Sequence, residues 1–377
     1  MAYRQLLYAV ISGLLLSTSP AQAEQGVTMD EVRIGMVNAQ SGPAAGLGRG
    51  MRNGVETYFK RINAEGGVHG RRIQLISKDD GYEPARTATQ TQALIEVDQV
   101  FALLGYVGTP TSRAAMPIAL RQQVPYLFPF TGAEFLRTPV RKWVFNLRAS
   151  YFNETEALAE LISERLKLGR IALLMQDDSF GETVKSGLAG ALYQRDRQID
   201  AEARILRNDL AGVQQAITKL ALSQPEAIVF IGTYKQLAAA IGEARAQGLE
   251  AQFFSVSFVG TENLISEAGA LAEGVYISQV MPSPHDPSLP LVNRYLQDMA
   301  PDAVGYTSLE GYLAAATLVE ALQASGPQPT RQGFVAALQQ LDTDLGGFAV
   351  KFSANNHQGS NAVFITRVQA GQALPLE

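Results

Sequence analysis

The loop Gly105-Tyr106-Val107-Gly108-Thr109-Pro110-Thr111-Ser112 gathers hydroxyl groups where a helix should begin. Hydroxyls and free backbone N–H groups at a helix start suit a carboxylate or another electron-rich group. The plainer reading is that Thr109 or Ser112 caps the helix. A second loop, Phe130-Thr131-Gly132, adds a hydroxyl between a ring and a glycine. Phe180, Tyr234 and Phe258 also follow expected strand ends, where backbone tends to be exposed. Their rings offer apolar area, and Tyr234 a polar tip, although any of them could equally pack a core. This is chemistry for holding a small molecule.

The elements that must position these residues repeat one design: a short apolar strand, a loop of Gly, Ser, Thr and aromatic residues, then an amphipathic helix. The strand and loop pairs are 32–36 with 39–50, 101–104 with 105–112, 124–128 with 129–135, 171–175 with 176–182, 228–231 with 232–236 and 252–256 with 257–262. In parallel α/β sheets small ligands bind at the carboxyl ends of strands, so such loops predict a cleft lined from several directions. After the first strand, Met51, Val55, Tyr58, Phe59 and Ile62 share one helical face. The βαβα pattern restarts beyond Asn146-Leu147-Arg148-Ala149-Ser150, with Leu158, Leu161, Ile162 and Leu166 as a new stripe. Two doubly wound lobes are the economical account.

Later segments read differently. The repeat lapses between Tyr276 and Pro287, ending in the connector Pro282-Ser283-Pro284-His285-Asp286-Pro287. Thr307 and Glu310 are spaced as a capping box for a long helix. Gly347 to Phe352 and Ala362 to Val368 alternate like paired antiparallel strands.

At 377 residues the chain is long enough for two cores, and 46% hydrophobic with 18% charged residues is a folded composition. A net charge of −5 argues against nucleic acid as a partner. The absence of cysteine excludes disulfides, thiolate metal sites, a Cys nucleophile and a lipid-modified terminal Cys. Walker A, GxSxG and HExxH patterns do not occur, and His69, His285 and His357 are far apart in turns or connectors. Gly46-Leu47-Gly48-Arg49-Gly50 has the wrong spacing for a dinucleotide fingerprint. An enzyme, a metal site and a cofactor are therefore not expected. Residues 1–23 read as a secretory signal: Arg4, an apolar core from Leu6 to Leu16, and the small-residue site Ala21-Gln22-Ala23. That core falls short of the ~20 residues a membrane span needs.

Ile34-Gly35-Met36-Val37 with Ser41-Gly42-Pro43, Ile62-Asn63-Ala64-Glu65-Gly66-Gly67-Val68-His69-Gly70, Asp79-Asp80, Gly105-Tyr106-Val107, Asp178-Ser179-Phe180-Gly181-Glu182 and Val280-Met281-Pro282 resemble, in order, the type I periplasmic binding proteins, nearest the leucine/isoleucine/valine-binding branch. The resemblance covers nearly all of the chain after residue 23. It implies two Rossmann-like doubly wound lobes joined by three crossovers, placed near Arg148, Met281 and Leu345. Lobe one then takes 24–147 and 282–344, and lobe two 148–281 and 345–377. It also implies a monomeric periplasmic protein that closes on a small-molecule solute like a flytrap and delivers it to ABC permease subunits in the inner membrane. A sensor of the same fold that reports to a membrane receptor is the alternative.

By the same resemblance, the family's carboxylate-receiving Ser falls on Thr109, and its backbone and hydroxyl contacts fall on Phe130 and Gly132, with Thr131 able to replace the hydroxyl that Gly132 lacks. An aromatic falls on Phe180, a Tyr on Tyr234, and a ligand-packing side chain on Leu47. Tyr106, Tyr151 and Tyr306 are weaker ligand candidates, with Tyr151 brought to the cleft by its place after the first crossover. The informative departure is Ser257, followed by Phe258: family members that bind free amino acids place a Glu there for the ligand ammonium. Burying an ammonium without its partner costs several kcal/mol, and one hydroxyl does not offset that. Either Asp177, Asp178 or Glu262 reaches the cleft, or the ligand has no α-amine.

Overall fold

A computed structural model describes residues 24–376, so the signal-like segment lies outside the described residues. The first apolar run forms β1 (Glu31–Asn38), and the stripe from Met51 to Ile62 seats α1 (Ala45–Ala64) with its apolar face buried. Next come β2 (Arg72–Asp79), α2 (Pro84–Glu96), β3 (Ala102–Leu104), α3 (Thr109–Arg121), β4 (Tyr126–Leu127) and β5 (Val144–Phe145). These strands make a parallel sheet in the order β2-β1-β3-β4-β5.

The pattern restarts with α4 (Tyr151–Glu160), β6 (Ile171–Gln176), α5 (Ser179–Tyr193), β7 (Ala201–Ile205), α6 (Val213–Ala221), β8 (Ala227–Ile231), α7 (Tyr234–Ala246), β9 (Gln252–Ser255), α8 (Thr261–Ala268) and β10 (Tyr276–Gln279). Strands β7-β6-β8-β9-β10 are parallel, the same topological order as in the first sheet. Every residue of β6 is buried, because helices cover both faces of a parallel sheet. That is why its sequence is a continuous apolar run and not an alternation. The stretch after Tyr276 continues the repeat as β10, a correction to the expected lapse.

The chain then returns to lobe one as α9 (Pro290–Asp298), α10 (Tyr306–Ala324), α11 (Arg331–Leu338), β11 (Asp342–Asp344) and β12 (Ala349–Lys351). It ends in lobe two as β13 (Phe364–Gln369) and β14 (Gln372–Pro375), which extend that sheet in antiparallel fashion. Helices α1 and α10 pack backbone to backbone: a Cβ on Gly54 would lie 1.9 Å from Ser308 O, and one on Gly311 2.3 Å from Met51 O. Only glycine permits that approach.

Three further expectations need correction. Strand β12 pairs with β11, and β13 with β10 and β14, so the two C-terminal alternating runs do not pair with each other. Thr307 and Glu310 form no capping box; α10 starts at Tyr306 behind Gly305 without a side-chain cap. Phe348, Val350 and Phe352 pack in the lobe-one core, with Phe352 against Phe128 and Phe145, so the third crossover falls after Phe352 and not near Leu345.

Candidate functional site

In each sheet the order reverses beside the first strand of the repeat, between β1 and β3 and between β6 and β8. Such switch points open a crevice at the strands' carboxyl ends. The first turns of α1 and α3, which follow β1 and β3, carry Leu47 and Thr109, and those of α5 and α7, which follow β6 and β8, carry Phe180 and Tyr234. The two crevices face each other. The Gly46 N–H donates to the Tyr234 hydroxyl at 3.2 Å, and Leu47 packs against Gly260. Phe258 sits at the centre, its ring 5.6 Å from Phe130, 4.6 Å from Phe180 and 5.9 Å from Tyr82, all between centroids. The lobes are closed on one another, and apolar packing runs continuously from one to the other.

Polar groups line one flank. Thr109 Oγ1 and Thr131 Oγ1 lie 2.7 Å apart, and Thr131 lies 3.2 Å from the Tyr151 hydroxyl. Burial pushes the Tyr151 phenol up to about 12, so this trio stays neutral and offers hydroxyl donors. The Thr109 hydroxyl thus bonds Thr131 of the neighbouring lobe-one loop and does not cap α3. Gly132 has a structural duty: a Cβ there would come within 2.5 Å of Tyr151 N, and its carbonyl accepts that N–H at 2.8 Å. The missing side chain lets α4 begin against the lobe-one loop. Ser150 starts that helix with a capping box to Asn153.

The opposite flank is charged. Arg148, on the first crossover, lies with its guanidinium 4.4 Å over the Phe130 ring and donates from Nη2 to Ser257 Oγ. Its Nε is 3.4 Å from Glu310 Oε1, and its Nη1 has no hydrogen-bond partner among the described residues. Ser257 also meets Glu154, whose Oε2 accepts from Ser257 N at 2.7 Å and from Ser278 Oγ at 2.8 Å, while Oε1 accepts from Ser257 Oγ at 3.0 Å. Burial raises the Glu154 carboxyl against the pull of Arg148 and raises Glu310 to about 7. Position 257, where the resemblance leads one to expect an acid, therefore presents a hydroxyl tied to a guanidinium.

Of the alternative acids, Asp177 pairs with Arg204. Asp178 caps α5 through Phe180 N and pairs with Arg207. Glu262 accepts from Tyr306 N at 3.1 Å, tying α8 of lobe two to the start of α10 in lobe one. Two candidates fall away from the aromatic centre. Tyr106 is packed behind the sheet, its hydroxyl 3.0 Å from Thr91 and its ring on Tyr126. Tyr306 lines a separate groove of about 770 Å³ with Glu262, His285 and Leu374. The sequence reading missed Tyr82, whose hydroxyl accepts from Gln176 Nε2 across the cleft, as well as the roles of Arg148, Glu154 and Glu310. A lone Arg inside Phe145-Asn146-Leu147-Arg148-Ala149 was the available signal. Glu154 lies in Asn153-Glu154-Thr155, which carries no binding pattern of its own.

Two doubly wound lobes meeting at their strand ends, with a mixed apolar and polar lining, define a hinged solute-binding protein. The periplasmic binding protein family model matches residues 31–373, and the chain belongs to that family. It is similar to the leucine-specific-binding protein of Salmonella typhimurium, 26% identical over 306 residues that span 80% of this chain and 81% of the relative. A crystal structure of a possible leucine/isoleucine/valine-binding protein from Rhodopirellula baltica superposes with a TM-score of 0.87 at 34% identity, covering 95% of this chain and 98% of that one. A fatty acid ABC transporter substrate-binding protein from Thermomonospora curvata shares the fold, with a TM-score of 0.85 at 21% identity over 94% of each chain. These relatives bind solutes and are not enzymes, in accord with the missing catalytic patterns.

Proposed function

We propose that this protein is the periplasmic substrate-binding component of an ABC importer, closing its two lobes on a small organic solute such as a hydrophobic amino acid or an aromatic or aliphatic carboxylic acid. The observation that carries this reading is the convergence of Leu47, Thr109, Phe130 and Thr131 from one lobe with Tyr151, Phe180, Tyr234, Ser257 and Phe258 from the other at a single cleft. A solute bound there takes over contacts that the rings of Phe130, Phe180 and Phe258 otherwise make with one another. Since each lobe supplies part of the lining, ligand favours the closed population, which presents a joint surface to a permease. Among the similar proteins, one is named for leucine and another for fatty acid, which supports an apolar solute with a carboxylate.

Mass spectrometry of small molecules released from freshly purified protein is the direct test, followed by a melting-temperature screen and small-angle scattering with and without the hits. A co-purified or added solute that raises the melting temperature and compacts the protein is expected. If no small organic acid or amino acid does either, the reading fails.

A further inference from the structure

We propose that Arg148 is the specificity-determining residue of this cleft and that it selects a carboxylate ligand without an α-ammonium group. This rests on the solute-binding reading above and narrows it to a substrate class. Arg148 is 1% exposed, yet Nη1 of its guanidinium has no hydrogen-bond partner among the described residues. A buried N–H donor left unmade is costly, so an acceptor is wanted at that place. The group lies between the loop after β4, through Phe130, and the loop after β9, through Ser257, and so faces the meeting point of the lobes.

The candidate acids already hold partners. Both oxygens of Glu154 bond Ser257 and Ser278, Asp178 bonds Phe180 N and Arg207, Asp177 pairs with Arg204, and Glu262 lies at Tyr306 in the separate groove. Glu310 already faces the guanidinium. An ammonium brought to the unpartnered Nη1 of Arg148 would meet a cation, and like charges in a buried site oppose one another strongly. A carboxylate or an α-oxo oxygen meets a donor there, and a guanidinium binds such oxygens with directed, charge-assisted hydrogen bonds. The Phe130, Phe180 and Phe258 rings then enclose the apolar remainder.

The test compares three probes on one carbon skeleton, isocaproate, α-ketoisocaproate and L-leucine, by calorimetry on the full-length secreted protein. At least one amine-free acid should bind about tenfold or more tightly than leucine. Arg148→Gln should weaken that acid about tenfold without weakening leucine, and Arg148→Lys should restore part of the loss. Circular dichroism and melting temperature check that the variants fold. Tighter binding of leucine, or an amine-free acid indifferent to Arg148→Gln, overturns the proposal while leaving a solute-binding protein. Binding only of molecules without a carboxylate does the same. Failure of every organic acid and amino acid to bind overturns the functional reading with it.

Discussion

Tyr234 spans the gap between the lobes with one hydroxyl, which accepts the Gly46 N–H and is held by a ring that is 6% exposed. Tyr234→Phe keeps the ring and removes the acceptor. A net hydrogen bond contributes about 0.5–1.5 kcal/mol, so ligand affinity should fall roughly two- to tenfold by calorimetry, with the melting temperature of the free protein little changed. Gly132 makes the opposite kind of prediction. Gly132→Ala forces a methyl into the start of α4 and should cost about 1–3 kcal/mol in urea unfolding, because overpacking must shift backbone. The sequence placed both residues at the cleft through resemblance, yet it read Gly132 as a weakened ligand contact. Its role depends on the approach of Tyr151 N, a contact no local pattern encodes.

Among the elements, the hinge is where separate chain segments hold one another. Arg137, buried in lobe one, donates from Nη1 to Ala133 O and from Nη2 to Arg148 O, and reaches Gln358 of the third crossover through Nε. Asn146 exchanges backbone hydrogen bonds with His357 and Gly359, so the first and third crossovers run as a parallel bridge. The His357 ring stacks on Phe145 at 3.9 Å. Arg137→Met removes a cation already disfavoured by burial, which lowers its pKa to about 10, but orphans several carbonyl groups. A loss of roughly 2–4 kcal/mol in unfolding free energy is expected, with altered closure visible by scattering. The helical stripe after the first crossover was legible from periodicity, whereas β5 and the bridge were not, since the bridge joins residues about two hundred positions apart.

For the molecule as a whole, closure places charged groups from both lobes in one environment. Glu310 faces Arg148, Arg137 and Glu154, and Glu262 accepts from Tyr306 N near Tyr295; burial first of all lifts both carboxyls from 4.5 to about 7. Below pH 4.5 both are protonated in the folded and unfolded chain alike. Between pH 4.5 and about 7 the unfolded chain releases protons that the folded one keeps, so these groups make stability decline as pH rises through that window. Melting temperature should drop by roughly several degrees across it, and Glu262→Gln should flatten the decline. An anion near Arg148 would further favour protonated Glu310, so binding of an amine-free acid near pH 7 should take up protons. Calorimetry in buffers of different ionisation enthalpy reads that uptake directly.

Much of this architecture is local in origin. Short apolar runs, amphipathic stripes and glycine-rich loops repeat along the chain, and their period dictates strands, helices and the parallel core of two sheets. The family resemblance likewise led one to expect Leu47, Thr109, Phe130, Phe180 and Tyr234 at a cleft. Charge at the site could not be read that way. Arg148 is one cation in an apolar segment until the crossover carries it between Phe130 and Ser257, and Glu154 is an ordinary helix residue until Ser257 and Ser278 surround it. Whether a buried guanidinium is neutralised or left with a free donor depends on which groups from distant segments reach it. Periodicity encodes which face is buried, and only assembly of both lobes settles what each buried polar atom finds there.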